Sequence, residues 1–236
     1  MNRMVGHLRS TAQRPLILWK IKPSDMSFIA GSDAGGVGSL PDQTDPDGLV
    51  SDGTQGAWMV LLAETLPSGT EKVKVFPITW RSCKLKRRVP STLAGEALSL
   101  SQSVAEVEFL QVLMRDVLDG DVSGDWAKNL SPFVITLGQQ SEMCHAPHAH
   151  VVDAKSVYDM VKKELLSSKQ DKRIAIELAI VIEALRRVDA RIRWVPHFKM
   201  FCDSLTQTGC RSQLELFCTC FELAMSNWLM KARSFR

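Results

Sequence analysis

The sequence predicts an α/β protein with helices packed on a mixed sheet, and three observations carry that prediction. Short apolar runs with turn chemistry between them recur before residue 81, a long segment of helical period follows, and past residue 147 two further extended runs are separated by helical patterns. Three strands with short returns read as an antiparallel meander. Strands linked through helices can lie parallel, so the order is three strands, a helix, a strand, helices, a strand and a helix.

The elements follow in chain order. A short amphipathic opening (Met4, Val5, Leu8) precedes "MSFIAGSD", a strand ending at Asp33. From Gly35 to Gly56, Gly, Pro, Asp and Ser dominate, which reads as a long exposed loop. "AWMVLLA" (57–63) and "VKVFPITW" (73–80) are the second and third strands, joined through the turn signal "LPSGTEK". From Ser91 to about Leu118, Leu93, Ala97, Leu100, Val104, Val107, Leu110, Met114 and Val117 recur at steps of three and four. That is an amphipathic helix, with Ser91 or Thr92 as its cap. A less regular stretch, 119–147, leads to "HAHVVD", a strand ending at Asp153. A helix follows, spaced by Val157, Met160, Val161 and Leu165, and then a second, "DKRIAIELAIVIEALRR". "ARIRWVP" is the last strand, Asp203 stands where another helix can begin, and "LELFCTCFELAMSNWLMKA" closes the chain as an apolar helical stretch. Trp58, Trp80 and Trp194 lie within strands and read as core.

Composition bounds the function. At 236 residues, 45% hydrophobic and 23% charged, the chain suits one large or two small globular domains. A net charge of +3 does not by itself implicate nucleic acid, but the charge is unevenly placed. "RSCKLKRR" (81–88) carries five cations and no acid, whereas 42–52 carries four acids and no base. Six cysteines without a C-x-x-C pair or a regular framework point to free thiols in a reducing compartment. The polar, basic N-terminus is no secretory signal, and no run of about 18 apolar residues exists to span a bilayer. The expectation is a soluble intracellular protein, cytoplasmic or nuclear.

Four acids stand in comparable places: Asp33 and Asp153 at strand ends, Asp203 just past the last strand, and Glu96 early in the long helix. If the strands bearing Asp33 and Asp153 are neighbours, their carboxylates converge, and like charges that close require a cation. Oxygen-only ligands suit Mg²⁺ or Mn²⁺, and paired ions serve phosphodiester hydrolysis. Each acid also has a plainer role. Asp153 and Asp203 can cap the helices that follow them, Glu96 can be a solvated residue near a helix dipole, and Asp33 can form a turn. Spacing alone leaves both readings open.

"SFIAGSDAGG", "RRVPSTLAGEALSLSQSV", "HVVDAKSVYDMV", "DKRIAIELAIV" and "RWVPHFKMFCDSLTQ" occur in this order over residues 25–207. In order and approximate spacing they resemble the ribonuclease H domain of copia-type retrotransposon polyproteins. The opening "NRMVGHLRST" is similar to the end of the reverse transcriptase part of such polyproteins, with His7 where tyrosine is common. The resemblance implies a ribonuclease H-like α/β fold, a five-stranded mixed sheet (three antiparallel strands, then two parallel) with helices on both faces. It implies three segments: a reverse transcriptase remnant at 1–24, a ribonuclease H-like domain at 25–207 with insertions near 35–56 and 119–147, and a C-terminal helical extension at 208–236. The chain is then a fragment or a degenerate copy of a longer element.

By the same resemblance, Asp33, Glu96, Asp153 and Asp203 correspond to the family's catalytic, metal-binding carboxylates, which hold two Mg²⁺ or Mn²⁺ ions. The implied activity is endonucleolytic cleavage of the RNA strand of RNA/DNA hybrids, and the implied partners are such a hybrid and the polyprotein's reverse transcriptase domain. Departures from the family pattern are Gly95 before Glu96, Cys202 before Asp203, and Gln207 where lysine is common. His197, six residues before Asp203, either helps proton transfer or product release or is a surface or packing histidine. Lys84, Lys86, Arg87 and Arg88, with Arg81, either touch phosphate or form a solvated turn, and Ser91 and Thr92 either reach the nucleic acid or cap the helix. "CHAPHAH" (144–150) offers Cys144, His145, His148 and His150, though without a second ligand pair for zinc. The competing class is an inactive ribonuclease H-like module that only holds nucleic acid. An integrase-type core expects a glutamate about 35 residues after Asp153, where Val188 and Asp189 stand instead.

Overall fold

The computed structural model describes residues 20–22, 25–35, 54–64, 66, 72–85, 89, 91–119, 148–164, 172–187, 190–206 and 222–224. Most of the N-terminal segment and of the two insertions, with Lys86, Arg87, Arg88, Cys144, His145, Val188, Asp189 and Gln207, lies outside the described residues.

Three antiparallel strands come first: β1 (Ser27–Gly35), β2 (Gln55–Ala63) and β3 (Lys72–Lys84). Helix α1 (Thr92–Asp119) leads to β4 (His148–Val152), helices α2 (Lys155–Lys163) and α3 (Lys172–Arg187), and β5 (Arg191–Trp194). A 3-10 turn at His197–Lys199 and a four-residue helix, α4 (Asp203–Thr206), follow. The order in the sheet is β5-β4-β1-β2-β3, with β4 parallel to both β1 and β5, and a sixth strand, β6 (Glu222–Ala224), on the β3 edge. The five central strands in this order, with helices packed against them, make the ribonuclease H-like fold.

Strand β1 is buried along nearly its whole length, because its apolar residues feed both faces of the sheet. Phe28 and Ala30, with Trp58, Val60 and Leu62, face α1 at Val107. Ile29, with Met59, Leu61, Ala149 and Val151, faces Met200, Phe201 and Cys202, the segment that leads into α4. A third cluster joins α1 (Ala97, Leu100, Val104) to α2 (Val157, Val161) and α3 (Leu178, Val181, Leu185). The periodicities read from the sequence therefore give the observed core. Among the described residues the two faces are unequally covered: α1, α2 and α3 cluster on one, and only the turn and α4 lie on the other.

Three expectations are corrected. Strand β3 continues to Lys84, four residues past the apolar run, because β2 extends beside it as far as Gln55 and gives its backbone a partner. Within the C-terminal stretch read as helix, 222–224 is a strand, paired antiparallel with Lys72–Lys74. The outer edge of β3 otherwise presents unpaired backbone groups there, and that demand overrides local helical patterning. Trp80 is 59% exposed rather than part of the core, while Trp58 is buried as expected.

Candidate metal centre

Each acid reaches the site from a different element. Asp33 is on β1, paired with Ala57 of β2, and Asp153 directly follows β4. Because β1 and β4 are parallel neighbours, Gly31 beside Val151, the two strands deliver their acids to the same edge of the sheet. Glu96 comes down from the second turn of α1, whose start is fixed by Ser91: its Oγ accepts from Ala94 N at 3.2 Å. Asp203 opens α4 on the far face. That short helix can lie against the sheet because residue 31 is glycine; a Cβ there would sit 2.5 Å from the Phe201 ring.

One ligand atom from each of Asp33, Glu96 and Asp153 lies within 4.8 Å of the others, and the same holds for Asp153, His197 and Asp203. Asp153 belongs to both groups and is the hinge of the cluster. Neither Asp153 nor Asp203 acts as a simple helix cap. The N-cap of α2 is Ala154, with no side-chain hydrogen bond. Both carboxylate oxygens of Asp203, with Asp153 Oδ1 and Glu96 Oε2, are buried without hydrogen-bond partners. Orphaned carboxylate oxygens are costly unless a cation or proton satisfies them.

The electrostatics agree with the geometry. Burial pushes Glu96 up to about 9, with the charges of Asp33 and Asp153 adding to it. Burial, then Asp33, pushes Asp203 up to about 7. Asp33 is raised by burial and by Asp153, and the Thr206 hydroxyl, which donates to Asp33 Oδ2, opposes the shift. Without a cation the cluster therefore holds protons that isolated carboxylates release. Oxygen donors, like charge and unfilled acceptor capacity together fit a hard divalent cation, and these groups are placed to hold one.

His197 sits at the mouth of the site, 60% exposed, with Nδ1 2.9 Å from Asp153 Oδ2 and 3.1 Å from Asp203 Oδ2. Its pKa is raised first by the hydrogen bond to Asp153 and then by the charge of Asp203. It is thus neither a packing histidine nor a free surface one.

The other candidates divide. Ser91 caps α1, and Thr92 is exposed at its first position. Lys84 is exposed at the end of β3. His148 and His150 are buried in β4; Gln111 Nε2 lies 3.0 Å from His148 Nδ1, and the two imidazoles meet edge to face at 5.4 Å. Sequence reasoning missed two supports of the site. Thr206 steadies Asp33, and Trp194 Nε1 donates to the Asp153 carbonyl at 2.8 Å. Both stand inside motifs quoted above, yet only tertiary contact reveals what they touch.

No family model and no curated protein matches the chain. Among solved structures, it is similar to ribonuclease H1 of the archaeon Halobacterium salinarum at 11% identity and a TM-score of 0.40, covering 72% of this chain and 86% of that one. It is similar to a ribonuclease H1 isolated from compost by a metagenomic approach at 10% identity and a TM-score of 0.45, covering 80% and 98%. The same compost protein in complex with an RNA/DNA hybrid aligns at 8% identity and a TM-score of 0.41, covering 74% and 88%. The assignment to the ribonuclease H-like fold rests on the strand order β5-β4-β1-β2-β3 rather than on these scores.

Proposed function

We propose that this chain hydrolyses the RNA strand of RNA/DNA hybrids by a metal-dependent endonucleolytic reaction. The observation that carries the reading is the meeting of four carboxylates from β1, α1, the end of β4 and α4, with buried oxygens left unpartnered. Asp33, Glu96, Asp153 and Asp203 would hold two Mg²⁺ or Mn²⁺ ions. Such ions supply charge stabilisation and an activated water for phosphodiester hydrolysis.

The chain's own residues do the rest. Thr206 fixes the orientation of Asp33. Asp153 bonds Nδ1 of His197, with Asp203 Oδ2 close beside it, which leaves Nε2 of that exposed ring to take up or release a proton as an oxygen leaves. Lys84, Lys86, Arg87 and Arg88, with Ser91 and Thr92, would position the backbone of the hybrid. The five ordered motifs support an origin in a copia-type retroelement, where the adjoining partner would be a reverse transcriptase domain and the setting intracellular. No helix among the described residues is long and apolar enough to cross a membrane.

The test is cleavage of a hybrid labelled on its RNA strand by purified protein in Mg²⁺. RNA cleavage that Asp153→Asn abolishes is expected. Hybrid binding without cleavage would instead make the chain an inactive module.

A further inference from the structure

We propose that the outer strand β3 carries a subsite for an unpaired nucleic-acid strand running off the hybrid, with Trp80 as its stacking platform. The identity of the ligand rests on the hybrid-cleaving reading above. The starting point is a break in the register of β3. Val60 lies opposite Thr79 but Leu61 lies opposite Pro77, so Ile78 is an extra residue. Such a bulge re-aims the side chains that follow it. Ile78 packs into the core beneath α1, and Thr79 Oγ1 donates to Glu106 of α1, so both point to the α1 side. Alternation restarts at Trp80, opposite Met59, whose side chain belongs to the cluster with Met200, Phe201 and Cys202. Without the bulge, Trp80 falls on the α1 side. With it, the indole stands on the face that carries Asp33 and Asp203.

The same face continues toward the site. Ser82 is in the row Asp33–Ala57–Ser82, and Lys84 is in the row Gly35–Gln55–Lys84. Ser82 Oγ donates to the Leu205 carbonyl at 2.5 Å and accepts from Gln55 Nε2 at 2.7 Å, which ties β3 to α4. Two strand spacings and two residues separate Trp80 from Asp33, about 12 Å, or three to four steps of a stacked strand.

Charge decides the occupant. The thirteen residues of β3 include four cations and no acid. Lys84, opposite Gln55, lies on Trp80's own face, and Arg81, opposite Trp58, follows Trp80 in the chain but lies on the α1 side, so the ring, 59% exposed, has one cation on its face and a second next to it along the strand. An exposed aromatic beside cations is the recognition chemistry of single-stranded nucleic acid. Bases within a duplex have both faces covered by their neighbours, so the base that Trp80 can stack is an unpaired one.

The experiment uses the intact chain and fluorescence anisotropy with Ca²⁺ in place of Mg²⁺. It compares a blunt RNA/DNA hybrid with the same hybrid carrying a single-stranded polythymidine tail. The tail should tighten binding about tenfold, Trp80→Ala should remove that gain without weakening the blunt hybrid, and Trp80→Phe should keep most of it. Lys84→Ala should lower the salt slope for the tailed hybrid by about one. Equal binding of tailed and blunt hybrids by the unaltered chain overturns the proposal, and so does a gain that survives Trp80→Ala. The latter result would place the tail on groups other than Trp80. A Trp80-dependent gain in a chain that fails to cleave keeps the subsite and removes the activity; cleavage with no tail gain does the reverse.

Discussion

Among the described residues, the carboxylates and a set of neutral side chains both bury polar atoms without partners, and they differ in what they ask for. At the carboxylate edge the orphans are Glu96, Asp153 and Asp203, all of one sign, gathered at a mouth lined by exposed His197. Ser32, Ser99, Ser103 and both ring nitrogens of His150 are buried and unpartnered as well, but they are neutral groups. A neutral orphan costs one to a few kcal/mol and stays neutral. Like-charged orphans repel one another as well, and only protons or a cation relieve that. The first region can thus hold a cation, and the second is a stability cost that titrates only in acid.

The comparison breaks most sharply at Asp153, which belongs to both halves of the cluster. Asp153→Asn should reduce hybrid cleavage by about a thousandfold, the loss typical when a principal source of transition-state charge stabilisation is removed. The metal-free variant should at the same time melt higher than the unaltered chain at pH 8, since one repelling charge is gone. A cleavage assay and a melting curve on one preparation check both.

The pH dependence separates the two regions. Glu96, Asp203 and Asp33 have raised values in the folded chain, so between about pH 4 and their folded values the folded form holds protons that the unfolded form has released. Without a cation, their contribution should fall as pH rises from about 4.5 toward 9. Added Mg²⁺ should therefore raise the melting temperature by several degrees at pH 8 and by less at pH 6. His150 works in the opposite sense. Burial and the neighbouring His148 hold it well below its ordinary value, so the unfolded chain takes up its proton first and stability is lost as pH falls below about 6.5. His150→Gln should flatten that acid limb and leave the Mg²⁺ effect unchanged.

A smaller effect tests how α4 is seated. Gly31→Ala drives a methyl group into Phe201 and should cost about 1–3 kcal/mol by denaturant unfolding, with a weaker Mg²⁺ response because Asp203 moves with that segment. Smaller still is Ser91→Ala, which removes the cap of α1 and should cost about 1 kcal/mol while leaving Mg²⁺ stabilisation intact.

Much of the fold was legible because it rests on local pattern. The apolar runs gave β1, β2 and β4, and the three-four spacing gave α1 and α3 with their buried faces. The acids were legible as candidates because each ends or follows a strand, or begins a helix, but their convergence depends on β1 lying beside β4, which no local pattern encodes. What stayed hidden was tertiary in origin. The bulge at Ile78 turns Trp80 outward, Thr206 reaches Asp33 from a segment that packs closely on Gly31 and Gly35, and β6 is a strand paired with β3.

The central claim is that four acids from four elements make one metal centre joined at Asp153, and binding tests it more directly than turnover. Mn²⁺ titrated into the chain and followed by electron paramagnetic resonance should show bound metal in the unaltered protein. The account predicts weakened binding in each of Asp33→Asn, Glu96→Gln, Asp153→Asn and Asp203→Asn, with the largest loss at Asp153. Mn²⁺ bound equally by the unaltered chain and by all four variants would contradict it.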